Sequence, residues 1–278
     1  MLNEACAPKE CARQNLSLMG ANMACGYLRA VRLLTASLVC FFVFTAHSLA
    51  DCVKPSDSED RIGELPNLGK LKRRLSYYQC SGDYDRDVAK VIAEAQEFVE
   101  QRGPRVARAA LVLDIDETSL SNWDQVKAND FGYVRAGGCD TLPKGPCGWH
   151  AWELSARAAP IKPTLRLFQA AKAKKVSVFF ITGRGDDTVT RAATEVNLTA
   201  AGYEGWDRLI MRTGYISPSG DVMTRDFKTT MRERLQKEGF TIIANVGDQD
   251  SDLDGPQGEK CAFAEKCFKV PNPFYFIP

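Results

Sequence analysis

Histidine is nearly absent from this chain. Two occur in 278 residues, and His150 is the one beyond residue 50. Chemistry built on a histidine nucleophile with a second catalytic group, and zinc sites built on several imidazoles, are therefore excluded by supply. Also missing are a G-x-S-x-G elbow and a G-x-x-x-x-G-K-[ST] loop, which removes the hydroxyl-nucleophile and phosphate-cradle readings tied to them. No C-x-x-C pair occurs, so a structural zinc knot is not expected. The formal net charge is +1, too small for a global field that would attract nucleic acid. There are no internal repeats and no low-complexity segments.

Long hydrophobic runs are scarce as well. The one near the start, Leu33 to Ala46, is 14 residues, short of the ~20 that span a bilayer. Arg29 and Arg32 precede it, and Ser48 and Ala50 supply small residues before a polar, acidic stretch. These are the three parts of a secretory signal with an extended basic region, over residues 1–50. An uncleaved anchor is the competing reading, and length counts against it. Met19 and Met23 are alternative starts. Asp51 argues against lipid attachment at Cys52. The expectation is export to a periplasm or the exterior, with no stable membrane insertion after cleavage.

Six cysteines remain after residue 50: Cys52, Cys80, Cys139, Cys147, Cys261 and Cys267. An even number in an exported chain points to disulfides, although fifteen pairings are formally open. Local pairing gives Cys139–Cys147 and Cys261–Cys267, with Cys52–Cys80 left over.

What is present is an alternation. Residues 51–82 read as a polar, turn-rich wrap. Residues 84–101 place Val88, Val91, Ile92, Ala95, Phe98 and Val99 on one helical face. A strand is expected at 109–115, a helix from Pro163, a strand at 176–182, a helix over 187–201, and a strand at 208–212. A helix over 228–238 and a strand at 241–247 complete the series. Short continuous apolar strands between helices predict an α/β fold: three layers, a Rossmann-like parallel sheet with helices on both faces. Residues 119–160 interrupt it after the first strand as a small cap insertion. Residues 51–278 are thus read as one domain.

Ligands of such sheets bind at the carboxyl ends of strands. Here the first strand ends in DIDET, the second in ITGR and the last in NVGDQDSD. Acids, a hydroxyl and backbone amides converge on one edge. Like carboxylates repel one another and are costly to desolvate, so a cation is needed. Oxygen-only ligation suits Mg²⁺.

DIDET at 114–118 resembles the D-x-D-x-T motif of the haloacid dehalogenase-like phosphatases. Thr182 before Gly183 and Arg184, Lys228 in FKTTMRERL, and Asp248 with Asp252 in GDQDSD follow in the order that superfamily requires. The strings DIDETSLSN, TEVNLTAAGYEGW, IIANVGDQDSDL and PNPFYFIP are similar to the class III acid phosphatases, the branch of secreted bacterial acid phosphatases and plant vegetative storage proteins. The resemblance runs from about residue 84 onward.

It implies Asp114 as nucleophile, forming an aspartyl phosphate, and Asp116 as general acid and base. It implies a Mg²⁺ shell of Asp114, the backbone carbonyl of Asp116, and Asp248, with Asp252 holding a metal-bound water or supporting Lys228. Thr182 and Lys228 would bind the phosphoryl group. Arg184 is either a salt-bridge partner or a further phosphate contact. Thr118 is read as orienting the loop, Glu117 as facing away from the metal, and Asp250 as a surface acid.

The insertion carries Trp123, Phe131, Tyr133, Trp149, His150 and Trp152. These either stack on a nucleobase or aryl group or form the insertion's own core. Asn197, Leu198 and Thr199 match a glycosylation acceptor. The implied reaction is hydrolysis of small phosphomonoesters, aryl phosphates and nucleoside monophosphates among them. The rivals are a catalytically weak storage or binding protein on the same scaffold, and phosphoryl transfer to an acceptor alcohol.

Overall fold

The computed structural model describes residues 52–55, 65–213 and 224–277. The expected signal segment lies outside the described residues. Strand β1 (Ala109–Leu113) is AALVL, and all five residues are buried. Such a run belongs in the middle of a sheet covered on both faces. It pairs in parallel with β4 (Ser177–Gly185) on one side and β6 (Thr241–Gly247) on the other. Strand β5 (Arg208–Arg212) extends the sheet beyond β4, and β7 (Lys266–Lys269) beyond β6. The order is β5-β4-β1-β6-β7.

Side chains alternate across the pleat, and the core divides accordingly. Leu111, Leu113, Val178 and Phe180 join one cluster with Val88, Ile92, Ala95 and Val99 of helix α2 (Asp83–Arg102) and with Leu167 and Phe168 of α5 (Lys162–Ala173). Ala110, Val112, Phe179 and Ile181 face the other way, against Phe227 and Leu235 of α7 (Thr224–Lys237). The expected three layers are present.

Several boundaries differ from the sequence reading. Residues 68–80 are not turns but helix α1 (Leu68–Cys80), N-capped by Asn67, whose side chain accepts from the amides of Gly69 and Lys70. Its apolar residues are diluted by the run KLKRR, and none is fully buried. Helix α7 begins at Thr224, so Lys228 lies one turn inside rather than at the start. Strand β7 was not expected, because KCFK has no continuous apolar run. It is an edge strand held beside β6.

The insertion is more ordered than its composition suggests. Strands β2 (Leu120–Ser121) and β3 (Ala159–Pro160) pair antiparallel at its base. Between them lie α3 (Trp123–Ala128) and α4 (Trp149–Ser155). All three expected disulfides form: Cys52–Cys80, Cys139–Cys147 and Cys261–Cys267.

Asn197 is not an exposed acceptor. It is buried in α6 (Thr188–Ala200), where its amide accepts from Ala158 N at 3.1 Å and donates to Ala158 O at 2.8 Å. That pair ties the end of the insertion to the sheet domain. Asn197→Ala leaves both Ala158 backbone groups unpaired in a dry site, at a cost of about 1–3 kcal/mol. A lowered urea midpoint with unchanged m-value checks it.

Candidate functional site

Strand β1 ends at Leu113, and the next residue leaves the sheet while Asp114 N still donates to Val246 O at 3.0 Å. The carboxylate of Asp114 is thereby fixed at the top of the central strand. Asp248 follows β6 directly. Between them and Asp252 the carboxylate oxygens lie within 4.8 Å of one another, all three buried. Asp252 sits in the short helix α8 (Asp250–Leu253), whose first turn is closed by Gln249 N donating to Asp252 Oδ2 at 2.8 Å. This return is so tight that a Cβ on Gly247 would lie 2.3 Å from the Asp252 Cβ. Glycine is required there by close approach.

Lys228 reaches into this cluster from α7. Its Nζ donates to Asp114 Oδ1 and to Asp252 Oδ1, each at 2.5 Å. Burial works against its charge, but the two carboxylates outweigh burial and raise its pKa above the ordinary lysine value. Burial and then Asp252 push Asp114 well up despite Lys228. Asp248 is pushed up to about 7, by burial first and Asp252 second. With all three acids ionised, one ammonium leaves two negative charges uncompensated. An oxygen-only donor set with that deficit fits a hard divalent cation.

Asp116 lines the same cavity as Asp114, Lys228 and Asp248. It faces Arg184, whose Nη2 lies at 2.6 Å from Oδ1 and whose Nε lies at 3.1 Å from Oδ2. Asn122 Nδ2 adds a bond to Oδ1 at 3.0 Å. Burial alone would raise this carboxyl, yet Arg184 and Asn122 bring it below the usual range. Of the two readings of Arg184, the salt bridge is what the structure contains. Its guanidinium also lines the cavity.

Thr182 is fully buried near the end of β4, and its hydroxyl accepts from Arg184 N at 3.2 Å. Among the described residues, neither Thr182 nor Asp252 lines the cavity. Asp252 acts on it through Lys228. Thr118 donates to Asp248 Oδ1 at 3.1 Å, the orienting contact its type suggested. Glu117 does turn away from the three aspartates, but not by strand alternation. Its φ is 54°, in a tight turn closed by Glu117 N to Leu120 O. Asp250 is half exposed and paired with Lys269. His150 is exposed, 3.6 Å from Glu153.

The cavity over these groups measures about 410 Å³. Phe131, Tyr133 and Trp149 of the insertion line one side, and Phe274, Tyr275 and Phe276 another. Trp152 is instead core, its indole N–H donating to Asn122 Oδ1 at 2.7 Å. Trp123 packs on Phe131 and Phe274. The core reading therefore holds for Trp152 and Trp123, while Phe131, Tyr133 and Trp149 line the cavity.

Sequence reasoning missed Asn122, Gln249, Asn272 and Tyr275. Asn272 Nδ2 donates to Asp248 Oδ2 at 2.8 Å, and Gln249 Nε2 to the same oxygen at 2.6 Å. Asn122 lies within the string DIDETSLSN and the others lie within or beside quoted strings, but nothing local tells a neutral amide of a site from one of a loop.

Comparison with known proteins agrees with this geometry. A model of the HAD superfamily, subfamily IIIB (acid phosphatase), matches residues 68–278. The soybean Stem 28 kDa glycoprotein is 29% identical over 197 residues, covering 70% of this chain and 71% of the relative. The tomato Acid phosphatase 1 is 29% identical over 201 residues, 72% of each. The class C acid phosphatase of Bacillus anthracis superposes with a TM-score of 0.56 at 21% identity, covering 75% of this chain and 86% of that one, a likeness of fold. With its parallel sheet and its assembled carboxylate rim, this chain belongs to the HAD superfamily, subfamily IIIB, and is an acid phosphatase, a phosphomonoester hydrolase.

Proposed function

We propose that the chain is an exported, Mg²⁺-dependent acid phosphatase that works through an aspartyl phosphate on Asp114. The observation that carries this reading is Lys228, which bridges Asp114 and Asp252 beside Asp248 while Asp116 stands free of that cluster. Asp114, Asp248 and the backbone carbonyl of Asp116 would hold the ion, with Asp252 supporting Lys228 or a metal-bound water. When bound, Mg²⁺ neutralises phosphoryl oxygens so that an anionic nucleophile can approach an anionic ester.

Asp114 attacks phosphorus, and the bond to the leaving oxygen breaks. That oxygen takes a proton from Asp116. Water then attacks the aspartyl phosphate and gives its proton to Asp116, which releases phosphate and restores Asp114. Lys228 carries fixed positive charge toward the transferring group, as Arg184 does once substrate competes for it. Thr182, through Arg184 N, supports the loop that presents Arg184. The resting pair of Asp116 with Arg184 keeps the acid ionised until substrate arrives, and low pH favours its protonated form. The aromatic walls suit aryl or nucleoside leaving groups. Three disulfides suit an oxidising compartment. Among the described residues no helix is long and apolar enough to cross a membrane. A storage role would not require Lys228, Asp114 and Asp116 to be assembled, and their assembly favours turnover.

Asp114→Asn should abolish hydrolysis of p-nitrophenyl phosphate, and undiminished turnover would overturn the reading. Chelation should inactivate the enzyme, and added Mg²⁺ should restore it. Binding is also visible without catalysis. At a hundredfold excess over Kd, a folded-state ligand stabilises by about 2.7 kcal/mol. A rise in Tm with Mg²⁺, lost in Asp248→Asn, checks that.

The metal-free protein has a pH signature of its own. Asp114 and Asp248 have folded-state pKa values above their unfolded ones, Asp248 at about 7. Each favours folding while protonated, and that contribution is lost as pH rises through the folded value. The apo protein should therefore melt at a lower temperature at pH 8 than at pH 5. The Mg²⁺-induced rise should be larger at pH 8.

A further inference from the structure

Residues 270–277 follow the last strand and lie against the catalytic loops. Val270 N donates to Gly247 O at 2.9 Å, and Ile277 N donates to Gln249 Oε1 at 3.1 Å. Within this segment the Tyr275 hydroxyl donates to Glu117 Oε2. Glu117 is buried, and its side-chain hydrogen bonds go to residues outside the three clustered aspartates. Its other partner is Asn122, which gives its backbone N–H to Oε1 at 2.6 Å and its Nδ2 to Oε2 at 3.0 Å.

The same Nδ2 group donates to Asp116 Oδ1 at 3.0 Å. Which end of the Asn122 amide faces the acids is not free. An indole N–H can only donate, and that of Trp152 takes Asn122 Oδ1 at 2.7 Å. The NH₂ end must then face Glu117 and Asp116 together. Tyr275, Glu117, Asn122 and Trp152 form one chain of bonds that runs from residues 270–277 to the insertion and passes beside Asp116.

We propose that Tyr275 is a positioning residue for proton transfer, acting through Glu117 and Asn122 to hold the Asp116 carboxyl toward the leaving oxygen. The inference rests on the acid–base reading of Asp116 given above. Two forces act on that carboxyl. Arg184 draws it toward β4 with a full opposite charge and two N–H donors. Asn122 offers one bond from an uncharged donor, and it competes only if its amide is held in place. Glu117 locks it, and Tyr275 holds Glu117. Without the hydroxyl, Glu117 loses one of the groups that fix its carboxylate, the Nδ2 of Asn122 is held less firmly between the two acids, and Arg184 has more of the say in where Asp116 sits. No proton travels along this chain; the transferred proton moves only between Asp116 and the ester oxygen or water.

Leaving-group dependence separates positioning from simple damage. A 2,4-dinitrophenolate departs without a proton, whereas an alkoxide does not. General acid catalysis supplies roughly 10²–10⁴-fold, and it is felt in kcat/KM for the alkyl ester. Tyr275→Phe should lower kcat/KM for an alkyl phosphate about tenfold and for 2,4-dinitrophenyl phosphate less than about twofold, a fraction of the full general-acid effect. Asp116→Asn, measured alongside, should show the same split more strongly. If Asp116→Asn splits the substrates but Tyr275→Phe lowers both equally, or lowers neither, the positioning role is wrong while the acid–base reading stands. If Asp116→Asn shows no split, the acid–base reading falls and takes this inference with it. Should Tyr275→Phe fail to fold by circular dichroism, Glu117→Gln reads the same link, and absence of the split there overturns the proposal.

Discussion

A buried lysine between two carboxylates is the interaction on which this site depends. Three aspartates within 4.8 Å would not stay ionised in a dry interior. Lys228 removes part of that repulsion by bonding Asp114 and Asp252 at once, and the cluster that remains could hold a metal ion. The fold serves this arrangement. The central position of β1 brings Asp114 beside the end of β6, so acids distant in sequence meet at one rim. Helix α7 packs on the sheet through Phe227 and Leu235, and that contact carries Lys228 inward.

A second balance surrounds Asp116. Arg184 and Asn122 approach its carboxyl from different elements, one charged and one neutral. The guanidinium and the amide together hold this carboxyl below the usual carboxylate range, against the effect of burial. The insertion and residues 270–277 meet around this carboxyl through Trp152 and Tyr275. They also line the same cavity.

Much of this was legible in the chain. Continuous apolar runs at 109–113 and 241–247 can only be central strands, and their terminal acids mark the rim. Asp114, Lys228 and Asp248, picked out by their ordered recurrence, do gather at that rim. Helix α1 was hidden because its face is only half-buried, and a run of lysines and arginines obscured its period. Strand β7 was hidden because edge position, not hydrophobicity, defines it. The Asn197 triplet misled, since a three-residue string carries no information on burial.

By itself the sequence determined the parallel α/β fold, the set of carboxylates and the lysine, because these follow from local hydrophobic period and from chemistry that few residue types can perform. Tertiary structure alone decided that Arg184 rests on Asp116, that the Thr182 hydroxyl accepts from Arg184 N, and that Asn122, Asn272 and Tyr275 bond Asp116, Asp248 and Glu117. Those contacts join residues up to 158 positions apart. A neutral amide or hydroxyl has no fixed role until packing selects its partner, and no local pattern records that choice.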